Sequence, residues 1–524
     1  MRRRRACWRP VRSRPPGRPR RGGRWTGWYP PERTPMKMMS CTVVLLLCSA
    51  AQAQQWGDPI LADPAEPAAS QTVQPAPSAA SPVAPAAAQP SALEPLPPRP
   101  RLSVMRELLG LPGVLPLARQ GAALSLNEAA RLGLGNSPDV QVAMYRAQSA
   151  SETRKVARGA LLPRLELRSA HGVGQLDSVE PAQRLHREEH TAVLSQPVFD
   201  EVARQEWRRQ GLLSSSAEAQ LAATESQALL DVGTAWLGVM QQRAGLALGS
   251  EYEALLGELL RYVSERAAAG GTSPAERERV AARVANVRSG LADSRAGLQA
   301  ALRNFQRLTA AAPAALSLLD DAATFDLPAD PETALAQAQA GNAELQAARL
   351  DQEAAEAERR GRRGAFLPRL AIEITHLRST NVSGTEAYQR DTKAMAVLTL
   401  PLFSGGADLA QMRAAEAHRN ELEARLEGAT RRVVQDVETA YANLRAAGER
   451  FGSVRDELEA NRKVLDAFRA QLIGGNRPLL DVLDAYQRLH QSRLDLVQVI
   501  VASVQNEWRI AHLTGRLRDV AAGR

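Results

Sequence analysis

The chain has 524 residues and a formal net charge of +9, and that charge is concentrated at one end. Residues 1–35 hold twelve Arg and one Glu, so the remaining chain is slightly acidic. All three cysteines lie before residue 54, which excludes a disulfide framework, a thiol nucleophile and a cysteine-ligated metal from the rest of the chain. The low aromatic content, 4%, disfavours a protein that stacks nucleic-acid bases, and we expect no nucleic-acid partner.

The first segments of the chain are predicted to direct export and not to join the fold. Residues 36–53 begin with Met36-Lys37, continue with a short apolar run and end with Ala51-Gln52-Ala53, a pattern typical of a secretory signal peptide and its cleavage site. The basic head, residues 1–35, is either a misassigned start, with translation beginning at Met36, or a disordered tail.

Residues 54–120 form a leader that is rich in Pro and Ala. A segment of this composition buries too little apolar surface to offset the entropy that ordering costs. We therefore predict that the leader is disordered after export.

The body of the chain contains an internal duplication with an offset of about 205 residues. Five landmarks recur in one order: Leu162-Pro163-Arg164-Leu165 as Leu367-Pro368-Arg369-Leu370, Pro197-Val198-Phe199 as Pro401-Leu402-Phe403, Thr234-Ala235-Trp236 as Thr439-Ala440-Tyr441, Gly270-Gly271 as Gly474-Gly475, and Leu308-Thr309 as Leu513-Thr514. An offset this long is not that of a solenoid. We predict a first repeat at 121–312, a linker at 313–331, a second repeat at 332–517 and a tail at 518–524.

Each repeat is predicted to open with a helix and a hairpin. The opening helices, at about 125–159 and 332–363, end at Leu-Pro, because proline moves the residue before it out of the helical region. Apolar and polar residues then alternate, as in Leu165-Glu166-Leu167-Arg168, which indicates strands with one apolar face. The second strand of each hairpin is expected to end at Pro197 or Pro401.

A long helix follows each hairpin. Residues 202–269 and 405–473 lack proline and predict helices of about 100 Å, which the paired glycines end before a helix of about 40 residues returns. Helices of this length need partner helices along their whole extent. The predicted fold is mostly α with a small β part. Four strands do not close into a barrel, whereas twelve strands from three chains would leave no free edge.

The sequence resembles the TolC-like family of outer-membrane efflux proteins over about residues 125–517. The motifs that carry the resemblance are Phe366-Leu367-Pro368-Arg369-Leu370, Pro401-Leu402-Phe403-Ser404-Gly405-Gly406 before a long helix, and the turn at 475–485, Gly-Asn-Arg-Pro-Leu-Leu-Asp-Val-Leu-Asp-Ala. The resemblance implies a homotrimer in the outer membrane, with a 12-stranded barrel that continues into a helical tunnel in the periplasm. It further implies a periplasmic adaptor and an inner-membrane pump, ABC or proton-driven, as partners.

The resemblance implies that Asp481 and Asp484 line the periplasmic entrance, where threefold symmetry makes each a ring of carboxylates. Their spacing of three places both on one helix face. Rings of carboxylates favour cations. The alternative is that the two acids only stabilise the start of a helix by about 0.3–1 kcal/mol through its dipole.

Arg477 matches the gate arginine of the family, which ties a mobile helix to its neighbour, although a solvated turn residue would also be ordinary here. The facing tip carries Glu276 and Arg277, and the family commonly has an acid at the second of these positions. The resemblance therefore makes Glu276 the expected partner of Arg477. The helix-tip turns are assigned to Gly271 and Pro274 in the first repeat and to Gly475 and Pro478 in the second.

No motif in the sequence indicates an enzyme, a cofactor or a metal site. A Gly-x-Ser-x-Gly elbow, a phosphate-binding Gly-Lys-Ser/Thr loop and a His-Glu-x-x-His pair are all absent from the sequence. The histidines are scattered, and we expect ordinary surface or packing roles for His186, His190, His376, His418, His490 and His512. The rival hypothesis to an outer-membrane channel is a periplasmic coiled-coil scaffold or adaptor protein.

Overall fold

The computed structural model describes residues 99–112, 114–117, 123–176, 183–311, 315–317, 325–381, 387–473 and 477–522. The predicted basic head and signal peptide lie outside these residues, as does most of the predicted leader. Three short elements come first: α1 (Ser103–Leu109), β1 (Val114–Pro116) and β2 (Ala123–Leu124).

Two repeats of the same element order follow. The first contains α2 (Leu126–Asn136), α3 (Pro138–Gly159), β3 (Arg164–Leu176), β4 (Gln183–Phe199), α4 (Glu201–Ala268) and α5 (Pro274–Thr309). A short strand, β5 (Ala315–Ser317), leads to the second repeat. That repeat contains α6 (Pro331–Gly341), α7 (Ala343–Gly364), β6 (Arg369–Thr380), β7 (Tyr388–Thr399), α8 (Ala407–Ile473) and α9 (Leu479–Leu513), and α10 (Leu517–Ala522) ends the described chain.

The opening helix of each repeat is two helices, so the prediction of one continuous helix is wrong at this point. Ser137 and Asn342 adopt extended backbone conformations at the breaks, and each side chain caps the helix that follows. Pro138 is the first residue of α3, a position that does not need its missing N–H. The same tertiary contact holds both breaks, because Asn136 donates to the carbonyl of Thr309 and Asn342 donates to that of Leu513.

The two long helices agree with their predicted bounds to within two residues. The Asp200 side chain begins α4 by accepting a hydrogen bond from the Ala203 amide, 3.0 Å away. The helix ends before Gly270, whose φ of +75° is in the left-handed region that glycine adopts without strain. With 68 residues, α4 is about 100 Å long. The helix α4 packs against α5, α7, α3 and α9, while α8 packs against α9 and α7. The long helices are thus supported along their length, as predicted.

A four-stranded antiparallel sheet, in the order β3-β4-β6-β7, joins the two hairpins. Its register aligns Leu165, Leu194, Ile374 and Ala394 across the four strands, and residues that face each other in a ladder share one face of the sheet. Leu165 is 73% exposed, Leu167 76% and Ile372 45%, so none of the residues that the structure describes covers this apolar face fully. The opposite face carries the charged and polar residues Glu166, Arg168, Glu373 and Thr375. The alternation read from the sequence is therefore present in the sheet.

The strand β4 continues through Pro197 to Phe199, two residues beyond the predicted end. Its register with β6 shifts between these residues, so the proline lies at an irregularity of the ladder. A bulge is one of the few places in a sheet where the absence of a proline N–H is tolerated. In the second hairpin, β7 ends before Pro401, as expected.

Regular secondary structure begins before residue 121 and continues past residue 517, which are the predicted outer boundaries of the two repeats. Met105 and Leu109 of α1 are buried, although both belong to the segment assigned to the disordered leader. The strand β5, in the predicted linker, pairs antiparallel with β1 and parallel with β2. The helix α10 begins at Leu517, which is fully buried, and continues to Ala522 in the predicted tail. These short elements are ordered because their apolar side chains join the main core.

The main core lies where α2, α4, α6, α8 and α9 meet these short elements, and its largest buried side chains include Trp236, Trp508, Phe305, Met105 and Leu115. A second, smaller core lies toward the turn between α4 and α5 and joins Tyr252 and Val280 to Val482 and Tyr486. Across the helices of the described ranges, none is both long enough and apolar enough to cross a membrane.

Candidate functional site

The turn from α4 to α5 forms one of the two helix tips that the sequence singled out. Gly271 follows the left-handed Gly270, and its amide donates to the Arg266 carbonyl over 2.9 Å. The Ser273 hydroxyl then caps α5 by accepting from the Ala275 amide, and Pro274 is the first helical residue. The residues assigned to this turn thus have the geometry of a helix end followed immediately by a helix start.

The second tip joins α8 to α9. Gly475 lies outside the described residues, so its assignment to the turn stays a prediction. Pro478 precedes Leu479, the first residue of α9, in an extended conformation that proline adopts readily. Asp481 lies in the first turn of this helix, as the helix-dipole interpretation also requires.

Arg477 makes two contacts at the start of α9. Its Nε lies 2.9 Å from Oδ2 of Asp481, one turn further on, and its guanidinium carbon lies 3.9 Å from the centre of the Phe468 ring on α8. The Nε–H is not directed at the carboxylate, so the contact with Asp481 is an ion pair and not a good hydrogen bond. Arg477 thus holds the end of α8 to the start of α9.

The expected partner of Arg477 has other contacts within the chain. Glu276 accepts a short hydrogen bond from the Thr272 hydroxyl, and Arg277 pairs with its neighbour Glu278 at 2.6 Å. A pair between Arg477 and Glu276 is not among the contacts of the described residues, and it stays a prediction. Arg477 lies at a helix tip as predicted, and its intrachain partner Asp481 was not predicted, although a spacing of four residues is a recognisable signal for such a pair.

Asp481 and Asp484 share one partly exposed side of α9, as their spacing predicts. Val482, Leu483 and Ala485, between and beside them, are buried in the core of the tip. Burial raises the pKa of Tyr252 on α4, and the carboxylate of Asp484 adds to this shift. Asp484 is therefore close enough to α4 to act on a buried group of that helix.

Two contacts of aromatic rings near the helix tips were not predicted from the sequence. The Tyr252 ring stacks on His490 with centroids 4.6 Å apart, and Phe468 supports the Arg477 guanidinium. Phe468 lies nine residues before Arg477, within reach of a local pattern, whereas the stack of Tyr252 on His490 joins residues that lie far apart in the sequence.

Residues 334–516 match the family model described as outer membrane efflux protein. The alkaline protease secretion protein AprF of Pseudomonas aeruginosa is 25% identical over 397 residues, which are 73% of this chain and 82% of AprF. The outer membrane protein TolC of Escherichia coli K12 is 23% identical over 437 residues, 78% of this chain and 85% of TolC.

Solved structures show the same fold at lower identity. CusC, described as forming a transmembrane channel, aligns with a TM-score of 0.67 at 17% identity and covers 80% of this chain and 99% of its own. The outer membrane protein VceC of Vibrio cholerae aligns with a TM-score of 0.65 at 18% identity, over 74% of this chain and 96% of its own. The mostly helical fold with a small β part is therefore one shared with outer-membrane proteins.

Proposed function

We propose that this chain is a member of the outer membrane efflux protein family, whose model matches residues 334–516, and that it is the exit duct of an efflux or type I secretion system. It conducts substrates passively from an inner-membrane pump, through the periplasm, to the outside. A periplasmic adaptor protein links it to the pump, which is an ABC transporter or a proton-driven pump. The duct itself carries out no catalysis.

The uncovered apolar face of the four-stranded sheet is the observation that supports this proposal most. Leu165, Leu167 and Ile372 are exposed on it, which is costly in water and favourable in lipid. The strands β3 and β7 are the edges of the sheet, and their unpaired backbone groups need partners inside a bilayer. Three copies of the sheet, edge to edge, would close twelve strands into a barrel, with the polar face of each sheet toward the lumen.

The entrance of the duct is proposed to lie at the helix tips. In a homotrimer, the partly exposed side of α9 that carries Asp481 and Asp484 would form two rings of three carboxylates. Such rings attract cations and also bind multivalent cations that block the passage. This role goes further than the helix-dipole interpretation, which concerns stability alone.

Replacing both acids tests the proposed entrance. We expect Asp481→Ala with Asp484→Ala to lower the cation-to-anion permeability ratio and to abolish block by multivalent cations in planar bilayers. Permeability ratio is the readout, and not conductance, because Asp481 also holds Arg477. The control is Asp456→Ala with Glu459→Ala, a pair with the same spacing on α8 whose charges are compensated by Arg455 and Lys463. An unchanged ratio in the first variant would show that these acids do not line the passage.

The rival function, a periplasmic scaffold or adaptor, predicts a different location in the cell. A duct remains with the outer-membrane fraction after a high-salt wash, because its apolar sheet face is held by lipid. A scaffold held by charged contacts is released by the same wash, because salt screens those contacts. Release of the protein would therefore rule out the proposed duct.

A further inference from the structure

Three side chains with metal-binding chemistry come together on the β3–β4 hairpin. His171, Glu188 and His190 each place one ligand atom within 4.8 Å of the other two. The register explains the meeting, since His171 lies directly opposite Glu188, and His190 lies two residues further along β4 on the same face of the sheet. This is the face that carries Leu165 and Leu167, but the three side chains lie nearer than those leucines to the connection between β3 and β4, beyond that apolar pair. The two imidazole centroids are 5.1 Å apart.

Ser169 orients both imidazole rings. Its hydroxyl oxygen lies 3.1 Å from Nε2 of His171 and 3.0 Å from Nδ1 of His190. A hydroxyl oxygen has two lone pairs, so it can accept an N–H from each ring when the two histidines adopt the matching tautomers. In that arrangement, Nδ1 of His171 and Nε2 of His190 both keep a free lone pair, as metal ligands must. The same Nδ1 of His171 is the ring atom that faces Glu188, 3.8 Å from Oε1.

We propose that His171, His190 and Glu188 bind a divalent transition-metal ion of the Zn²⁺ class. Two imidazole nitrogens and one carboxylate are a ligand set that Zn²⁺ takes in proteins, with the fourth position left to water. Ligand atoms around a tetrahedral Zn²⁺ lie roughly 3.4 Å apart, so the side chains close by about 1 Å on binding. His171 and Glu188 are exposed, and rotations of exposed side chains are enough for this movement.

The arginine that faces His190 from β6 is directed away from this position. Arg378 of β6 lies opposite His190 in the register. Its guanidinium is stacked over the Tyr388 ring at 5.5 Å, which directs the positive charge toward β7. Ser169 has the role of the hydrogen-bond partner that fixes a metal-ligating histidine in its tautomer. On this proposal, His190 has a role beyond the ordinary surface role expected of it, with His171 as its partner.

The test measures Zn²⁺ binding to the purified full-length chain in detergent, after removal of metal with a chelator. Cys7, Cys41 and Cys48 are replaced by Ser in every variant, so that no thiol contributes. Calorimetry is expected to give one Zn²⁺ per chain, and Co²⁺ in its place is expected to give the visible absorption of a four-coordinate site. Ser169→Ala should weaken binding about 10-fold, as loss of an orienting partner does.

Single-ligand variants decide the assignment. His171→Ala and His190→Ala should each weaken Zn²⁺ binding by more than 100-fold, beyond the range that loss of an orienting group produces. The control is His376→Ala, which removes a histidine that lies on the same sheet and bonds to Thr392 at 2.8 Å. Circular dichroism checks that every variant keeps its sheet. Fewer than one Zn²⁺ per chain, or equal binding by His171→Ala and His376→Ala, would overturn the proposal without bearing on the proposed duct.

Discussion

Trp508 on α9 packs so closely against α4 that the facing residue has no room for a side chain. A Cβ at Gly233 would lie 2.5 Å from Cε3 of the indole, and Trp508 is only 1% exposed. We expect Gly233→Ala to lower the free energy of unfolding by about 1–3 kcal/mol, the usual cost of an overfilled core. The control, Gly238→Ala on the same helix, meets nothing within 4 Å and should be neutral or stabilising by about 0.5–1 kcal/mol. Urea unfolding compares the two, and equal losses would contradict the explanation.

Glu507, one residue earlier, is an acid buried in the same core, with 4% of its surface exposed. Burial raises its pKa to about 7, and Arg99 and Arg101 offset part of this shift. The folded state therefore binds the proton more tightly than the unfolded state, and stability falls as the pH rises from about 4.5 to 7. At about 1.4 kcal/mol for each unit of pKa, the loss is on the order of 3 kcal/mol.

Glu507→Gln removes this charge and should remove the pH dependence. We expect the variant to melt at the same temperature as the parent chain at about pH 3.5, a unit below the ordinary pKa of 4.5, where Glu507 is protonated in the folded state and largely protonated in the unfolded state. Above pH 7 the variant should melt at the higher temperature. A difference in melting temperature that does not change with pH would show that Glu507 is ionised in the folded protein.

At the scale of the element, the two faces of the sheet need opposite kinds of side chain in the proposed barrel, apolar toward lipid and polar toward water. Ile372 lies on the apolar exposed face, and Thr375 lies on the opposite face, three residues along the same strand. We expect Ile372→Arg to cost about 2–4 kcal/mol in lipid, as a cation facing the bilayer midplane does. Thr375→Arg should be tolerated because its side chain faces water. Folding into lipid vesicles, followed by urea titration, measures both, and equal damage would mean that β6 does not span the membrane.

At the scale of the whole molecule, closure of the proposed entrance would depend on contacts weak enough for a pump to break. The ion pair of Arg477 is partly exposed, and such a pair contributes about 0–1 kcal/mol. Three copies in a trimer would make this a useful bias toward the closed state. We expect Arg477→Ser to raise single-channel conductance, since it removes the contacts with Asp481 and Phe468 and any contact with Glu276.

The control for this prediction is Arg455→Ser on α8. Arg455 also pairs with a carboxylate at 2.9 Å, that of its neighbour Asp456, but it lies several turns from the tip. Its loss should leave conductance unchanged. If Arg477→Ser behaved like Arg455→Ser, the contacts that close the entrance would have to lie elsewhere in the tip.

Local patterns in the sequence were enough to predict most helices and strands, because the residues that begin and end these elements lie within or beside them. Proline ends the opening helices, glycine ends α4, and alternation marks the strands. The breaks at Ser137 and Asn342 were missed, although both are good capping residues. The contact that holds the second break, from Asn342 to the carbonyl of Leu513, spans 171 residues of sequence. Likewise, Met105 and Leu109 were assigned to the disordered leader, because the core that buries them is formed by segments far away in the sequence.

The sequence by itself determined the duplication, the long helices, the alternating strands and the resemblance to outer membrane efflux proteins, since each of these is a pattern of neighbouring or regularly spaced residues. The tertiary structure decided which distant side chains meet. His171 and His190 are brought together by the register of β3 on β4, and Arg477 finds Phe468 because α9 returns along α8. Register and helix packing are fixed by how whole faces are buried against each other, and no spacing along the chain encodes that pairing directly.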